Sequence, residues 1–324
     1  MNRRHFLQHS LYSSLFAFSA AAGLTGCRPA ATDMDQQWEM YIAGDADEAG
    51  DTDEKNPAPP EFSPDNPLLR YRFKKGEELR WNVQHTLKMR NIIGGMEENI
   101  ETRSRAVKVW RTLDVDAAGT ATFEYRVEDI DMHQAQTGHD DVIYNSRRDS
   151  RIPPEFINLE GKIGIALAHI RIGPQGETTK KPLREYDGSI SENRIVIPLP
   201  DEPVEVGSRW VEPEQIDLPL PNQTVKKIRL QHNFTLTRIL SGLATINFST
   251  VIFTPLTPKE ESQLLEYFTQ GTKELDLQAG HFIRHEATID RMVVGIQEAS
   301  DSIRYQSRVT ECRCSRRACD VCNV

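Results

Sequence analysis

Between Thr120 and Val127 apolar and polar residues alternate without a break. Ala121, Phe123, Tyr125 and Val127 fall on one side, Thr122, Glu124 and Arg126 on the other. Strand side chains project to opposite faces with a period of two, so this pattern demands a half-buried strand and is incompatible with a helix. Ile130 and Met132 keep the period but change its phase, which predicts a bulge near Glu128-Asp129. Ala106 to Val115 is rich in β-branched residues, and Ile228 to Leu240 and Leu243 to Phe253 behave alike, split by a Ser241-Gly242 turn. The chain beyond its first sixty-odd residues therefore reads as mostly antiparallel β.

The pattern occurs twice. Lys75-Gly76-Glu77-Glu78-Leu79-Arg80-Trp81 corresponds to Val206-Gly207-Ser208-Arg209-Trp210, and Gly119-Thr120-Ala121-Thr122-Phe123 to Gly242-Leu243-Ala244-Thr245-Ile246. A strand precedes each second motif, Val107 to Val115 and Phe234 to Leu240. Each is followed by a long strand, a candidate helix and a hairpin. The hairpins span Ile170 to Pro182, turning at Gly173-Pro174-Gln175-Gly176, and Glu274 to Ile289, turning at Gln278-Ala279-Gly280. The first copy carries extra residues from His133 to Ser150. This spacing is that of a duplication, with copies at residues 67–190 and 191–311.

The second helix is well signalled. Thr257 can cap it, Pro258 suits its first position, Glu260 completes a capping box and Gly271 suits its end. Leu264, Leu265 and Phe268 supply an apolar face to lay on a sheet. The first copy has a weaker version from Pro153 through Ile157 to Leu167. The expected fold class is α+β, mostly antiparallel β, as two tandem sheet-plus-helix repeats. That arrangement resembles the half-barrel folds of exported carriers, which hold lipid or lipoprotein chains between sheet and helix.

The N-terminus is of another kind. Arg3 and Arg4 precede Phe6 and Leu7, an apolar run extends from Leu11 to Leu24, and Leu24-Thr25-Gly26-Cys27 closes it. The run is short for a transmembrane helix and stands where a signal peptide stands. It resembles the signal peptide of bacterial membrane lipoproteins. The resemblance implies cleavage after residue 26, acyl chains on Cys27, attachment to the lipid bilayer, and a location in the cell envelope with the domain facing the periplasm or the outside. Arg3, Arg4, Phe6 and Leu7 also resemble the twin-arginine export motif, although Gln8 stands where Lys is usual; a general secretory signal that begins with two arginines is the alternative.

Residues 27–66 read as a tether. From Asp33 to Asp65 there are eleven acidic residues against Lys55, ending in Pro57, Pro59, Pro60 and Pro64. So little apolar surface cannot offset chain entropy, and an extended, unfolded segment is expected. From residue 66 onward 35 basic residues meet 37 acidic ones. This near-neutrality carries no nucleic-acid footprint and no polybasic membrane patch.

Four cysteines crowd residues 312–324, Cys312, Cys314, Cys319 and Cys322, in the spacing C-x-C-x4-C-x2-C. Outside the cytoplasm an even count argues for disulfides in one of three pairings. Four thiolates could also hold a zinc ion, although the spacing is unlike that of ribbon-type sites. No other cofactor is implied.

No nucleophile elbow, H-E-x-x-H or phosphate-binding glycine loop occurs, so no catalytic residue is assigned. His281 and His285 are four apart in a segment that reads as a strand. There they lie about 13 Å apart, too far to share a metal, and they read as surface histidines. His139-Asp140-Asp141 reads as a solvated loop. The K-G-E-x-L-R opening at Lys75 to Arg80 and the V-G-x-x-W of Val206 to Trp210 resemble β-rich lipoproteins of planctomycete-type bacteria, a family that implies no activity. Two functions follow from these readings, with an enzyme whose site carries no known motif as a third. One is a binding module for an apolar ligand or an envelope protein, with a pocket expected beneath Leu264 and Phe268. The other is a structural or interaction protein with a filled core.

Overall fold

A computed structural model describes residues 66–182, 196–221 and 223–314. The signal (Arg3, Arg4, Phe6, Leu7, Cys27), nearly all of the tether, and Cys319 and Cys322 lie outside the described residues. The strands are β1 (Glu78–Ile93), β2 (Met96–Val115), β3 (Ala121–Gln136), β4 (Val142–Asn145), β5 (Ala166–Ile172) and β6 (Thr178–Pro182), followed by β7 (Arg209–Pro219), β8 (Val225–Leu240), β9 (Leu243–Ile252), β10 (Gln270–Asp276), β11 (His281–Val294) and β12 (Ser302–Arg313). They form one open sheet in the order β6-β5-β3-β2-β1-β12-β11-β10-β9-β8-β7, with the short β4 returning on β3. Every strand pairing in it is antiparallel.

The local signals of the sequence have clear structural counterparts. Glu128 is the extra residue of a bulge: Val107 pairs with Asp129, yet Lys108 pairs with Val127. Ser241 and Gly242 both adopt positive φ, as a two-residue hairpin turn requires. β4 accounts for the extra residues of the first half.

The helical expectation is corrected. Among the described residues the helices are single turns, α1 (Ile157–Glu160) and α2 (Pro258–Glu261), beside 3-10 turns at Pro154–Phe156 and Leu265–Tyr267. The capping box at Thr257 and Glu260 does form. The helix nevertheless ends at Glu261, and Leu264 and Leu265 beyond it enter different clusters. Leu264 packs with Leu218 and Ile228, and Leu265 packs with Leu87, Ile289 and Tyr305. Gly271 belongs to β10 rather than to a helix end. None of these helices is long and apolar enough to cross a membrane.

Two extended segments cover one face of the sheet, which we call the inner face. The first strap, residues 67–74, leads into β1; the second, residues 196–204, leads toward β7. They are clasped to each other. The Tyr71 hydroxyl accepts from the Ile197 amide at 2.9 Å, and the Val204 amide donates to the Pro67 carbonyl at 3.1 Å. Both also grip hairpin turns of the sheet. The Tyr71 amide donates to Pro174 O at 2.7 Å, the Arg72 amide to Gly280 O at 2.9 Å and the Leu199 amide to Gln175 O at 2.8 Å. Glycine is needed where they press. Gly176 has φ +93°, and a Cβ there would stand 2.3 Å from Ile197 O; Gly280 has φ +70°, and its Cβ would stand 2.7 Å from the Arg72 nitrogen. Leu69, Tyr71, Ile197 and Leu199 thereby join the apolar core of β8 to β11.

The opposite face is wetter. Over the fully buried Val109, Arg126 of β3 bonds Glu78 at 2.9 Å and Glu128 at 3.2 Å, and Arg80 of β1 bonds Glu128. At the far edge, Pro213 and Pro219 remove two backbone donors from β7, a device that blunts an exposed sheet edge against pairing.

Candidate functional site

Period-two patterning decides which side chains meet beneath the straps. On β2, Ala106, Lys108 and Trp110 share a face; on β1, Leu79, Trp81 and Val83 share it through the β1–β2 register. The same row continues from Val83 to Glu311 on β12, His285 on β11 and Lys273 on β10. The seam between β1 and β12 therefore carries charged residues on a buried face.

A cleft opens above this row. Tyr71, Phe73 and Val196 wall it from the straps, and Trp81, Trp110, Phe282, His285 and Glu311 form its floor and sides. The cleft spans about 400 Å³ of non-atom space, open solvent included, but its enclosed part has room for only a water molecule or two. Its aromatic rings interlock. Trp81 meets Trp110 edge-on at 5.4 Å between centroids, Tyr71 meets Phe282 at 5.8 Å, and Phe73 meets Phe123 at 4.7 Å.

At the seam Lys108 Nζ donates to Glu311 Oε1 at 2.7 Å, with the two residues only 7 % and 6 % exposed. Burial alone would strip the Lys108 proton, but the facing Glu311 carboxylate overcomes it and keeps the ammonium. Burial likewise works against the Glu311 charge, and Lys108 reverses that, holding the carboxyl well below the usual carboxylate range. His285 is pushed down to about 4, first by burial and then by Lys273. Its Nδ1 stands 3.8 Å from Glu311 Oε2, beyond hydrogen-bond reach. His281 is also pushed down, first by burial and then by Arg313, whose guanidinium bonds its Nε2.

Two residues of the lining carry a buried polar atom that lacks a hydrogen-bond partner, Trp110 Nε1 and His285 Nδ1. Indole nitrogen only donates, so Trp110 needs an acceptor. A buried polar group left unpaired costs on the order of 1–3 kcal/mol, which makes the cleft a place where an incoming acceptor gains.

The sequence expectations sort unevenly against this geometry. His281 and His285 do lie on a strand, but they are buried at 4 % and 7 % exposure rather than on the surface, because both line the recess walled by Tyr71 and Phe73 of the first strap. Leu264 and Phe268 sit in packed clusters, and the cleft lies elsewhere. His139, Asp140 and Asp141 are exposed, and no cluster of metal-ligating residues occurs among the described residues. Cys312 and Cys314, at the end of β12, are each disulfide-bonded. Lys108, Glu311, His85 and Trp110 went unremarked in the sequence. Their signal was parity: Lys108 stands two residues from both Ala106 and Trp110, and Glu311 two from Val309, on faces that alternation marks as buried.

A scan against protein-family models finds no match to this chain, and a search of curated proteins finds no similar one.

Proposed function

We propose that this chain is an exported lipoprotein, anchored to the envelope membrane through acylated Cys27, and that its folded part is a binding module. The observation that carries the binding reading is the strap-covered cleft. It brings together aromatic rings, the Glu311 carboxylate of the buried ion pair, and two residues that each carry an unpartnered buried polar atom, Trp110 Nε1 and His285 Nδ1. Ligand sites are mostly apolar, with a few placed polar groups, and this recess has that composition. Its occupant would be an apolar molecule, or an apolar segment of an envelope protein, that presents a hydrogen-bond acceptor. The packing of Leu264 and Phe268 moves the proposed site away from the helix-covered face and onto the seam.

The two halves are proposed to be tandem copies. Strands β6-β5-β3-β2-β1 and β11-β10-β9-β8-β7 occur in matching order, each half is led in by a strap, and each strap presses a glycine of a hairpin turn. The disulfide state of Cys312 and Cys314 supports a stapled C-terminus rather than a zinc site.

A second reading, a structural or interaction protein without a small ligand, is favoured by one observation: the enclosed part of the cleft is small. Intact mass and lipid extraction on the protein purified from its membrane fraction separate the two. Cleavage before Cys27 with acyl chains attached supports the anchor, and a co-purifying apolar molecule supports the binding module. A lipidated protein with nothing bound favours the scaffold, and an unlipidated one refutes the anchor.

A further inference from the structure

We propose that acid releases the 67–74 strap from the sheet and so opens the cleft, with His285 as the principal sensor and His281 as a second. The inference rests on the binding reading for its purpose but not for its mechanism. The strap is the cleft's removable wall. Tyr71 and Phe73 stand in the same lining as His281 and His285, whereas the floor residues Trp81 and Trp110 belong to central strands. Beside the packing of Leu69 and Tyr71 into the apolar core, a small set of hydrogen bonds among the described residues holds the strap down. They are the amides of Tyr71 and Arg72 to Pro174 O and Gly280 O, the clasp of Tyr71 to Ile197, the contact of Pro67 with Val204, and Arg70 to Pro200 O at 2.5 Å and Asp201 O at 2.7 Å.

A proton on either imidazole would arrive among cations. His285 faces Lys273 from β10, Lys108 from β2 and the ring of Phe248 from β9, with Glu311 of β12 as the opposing carboxylate already paired to Lys108. His281 faces Arg313 from β12, with Glu77 before β1 and Asp276 on β10 as carboxylates farther down its order of influences. The strap's own hydroxyl, Tyr71, is held neutral by burial and offers neither imidazole a charge. With the strap lifted, His285 meets water.

The size of the effect follows from linkage. The closed form holds His285 at about 4, and a hydrated imidazole titrates near 6.5. A group depressed in the closed form favours closure fully above the hydrated value, and loses that contribution as pH falls toward the closed one. The opening equilibrium of the strap should therefore rise about twentyfold between pH 7 and pH 5 from His285 alone.

Hydrogen exchange of the full chain, read by mass spectrometry as protection factors at each pH, tests this without any ligand. Peptides covering residues 67–74 should be less protected than those of β1 and β12 at both pH values and should lose about twentyfold protection from pH 7 to pH 5, and His285→Gln should remove most of that loss. Tyr71→Phe should lower strap protection at both pH values and keep the slope. Unchanged strap protection would overturn the proposal. So would strap protection equal to that of β1 and β12 at each pH, which is general unfolding, or a slope that survives in both His285→Gln and His281→Gln. A strap that opens in a protein binding no apolar molecule at either pH would uphold the gate and refute the binding reading.

Discussion

Replacing Lys108 by Met tests whether the seam is organised around its buried ion pair. The ammonium and the Glu311 carboxylate lie 2.7 Å apart, with side chains 9 % and 8 % exposed. Met preserves most of the aliphatic length and removes only the charge. Glu311 would then be a buried carboxylate with His285 at 3.8 Å as its nearest remaining ionisable neighbour. Removing one member of such a pair costs about 3–5 kcal/mol. That is a large share of the ~5–15 kcal/mol by which folded proteins are stable. The double variant Lys108→Met, Glu311→Leu should recover most of the loss, because no uncompensated charge remains. The pH dependence gives a second signature. In the wild type Glu311 is depressed, so its contribution is complete above the ordinary carboxylate range and fades only as pH falls below it. Without Lys108 burial raises its pKa, so the variant's deficit relative to the wild type shrinks as pH falls from 7 toward 5. The assay is the urea midpoint, followed by the fluorescence of the buried Trp81 and Trp110. A loss under about 1 kcal/mol for the single variant, or a double variant no better than the single, would refute the reasoning.

Two further outcomes are expected. His85 is pushed down to about 4, first by burial and then by Lys108, so the fold should lose stability between pH 6.5 and pH 4, by roughly 3 kcal/mol from this residue. Denaturation curves of His85→Leu should be flatter over that window, and parallel curves would clear the imidazole of the role. Gly280→Ala should cost about 1–3 kcal/mol, since its φ is +70° and the Arg72 nitrogen occupies the space of a Cβ. The loss should appear in the urea midpoint and as faster exchange of the Tyr71 and Arg72 amides, and a neutral result would mean the strap does not bear on that turn.

Strands were legible because their signal is local. The alternation from Ala121 to Val127, the phase change at Glu128 and the Ser241-Gly242 turn each depend on a few neighbouring residues, and each corresponds to a structural feature. The helix after Thr257 carried an equally local signal, and its cap formed, yet it is a single turn, with Leu264 and Leu265 beyond it packed in two different clusters. The straps were not legible at all. Leu69, Tyr71, Ile197 and Leu199 are short apolar alternations that a sequence cannot assign to a sheet or to its cover. Missing the straps made His281 and His285 look exposed. The cleft went unseen for the same reason: Lys108 and Glu311 are 203 residues apart, and only the β1–β12 and β1–β2 pairings bring them together.

That pairing also dictates an order of events. The first strand of the domain finds its outer neighbour in the last: Trp81 aligns with Arg313 and Ile92 with Ser302. Until residue 313 is available, sixteen residues of β1 have one ladder open, and so does β11 on the other bank. Closing so long a loop comes late and slowly, because the entropy of the intervening chain is spent before any contact rewards it. A chain shortened before Ser302 would therefore lose more than one strand. It would leave two long ladders facing each other with no common partner, each a template for another molecule of the same kind.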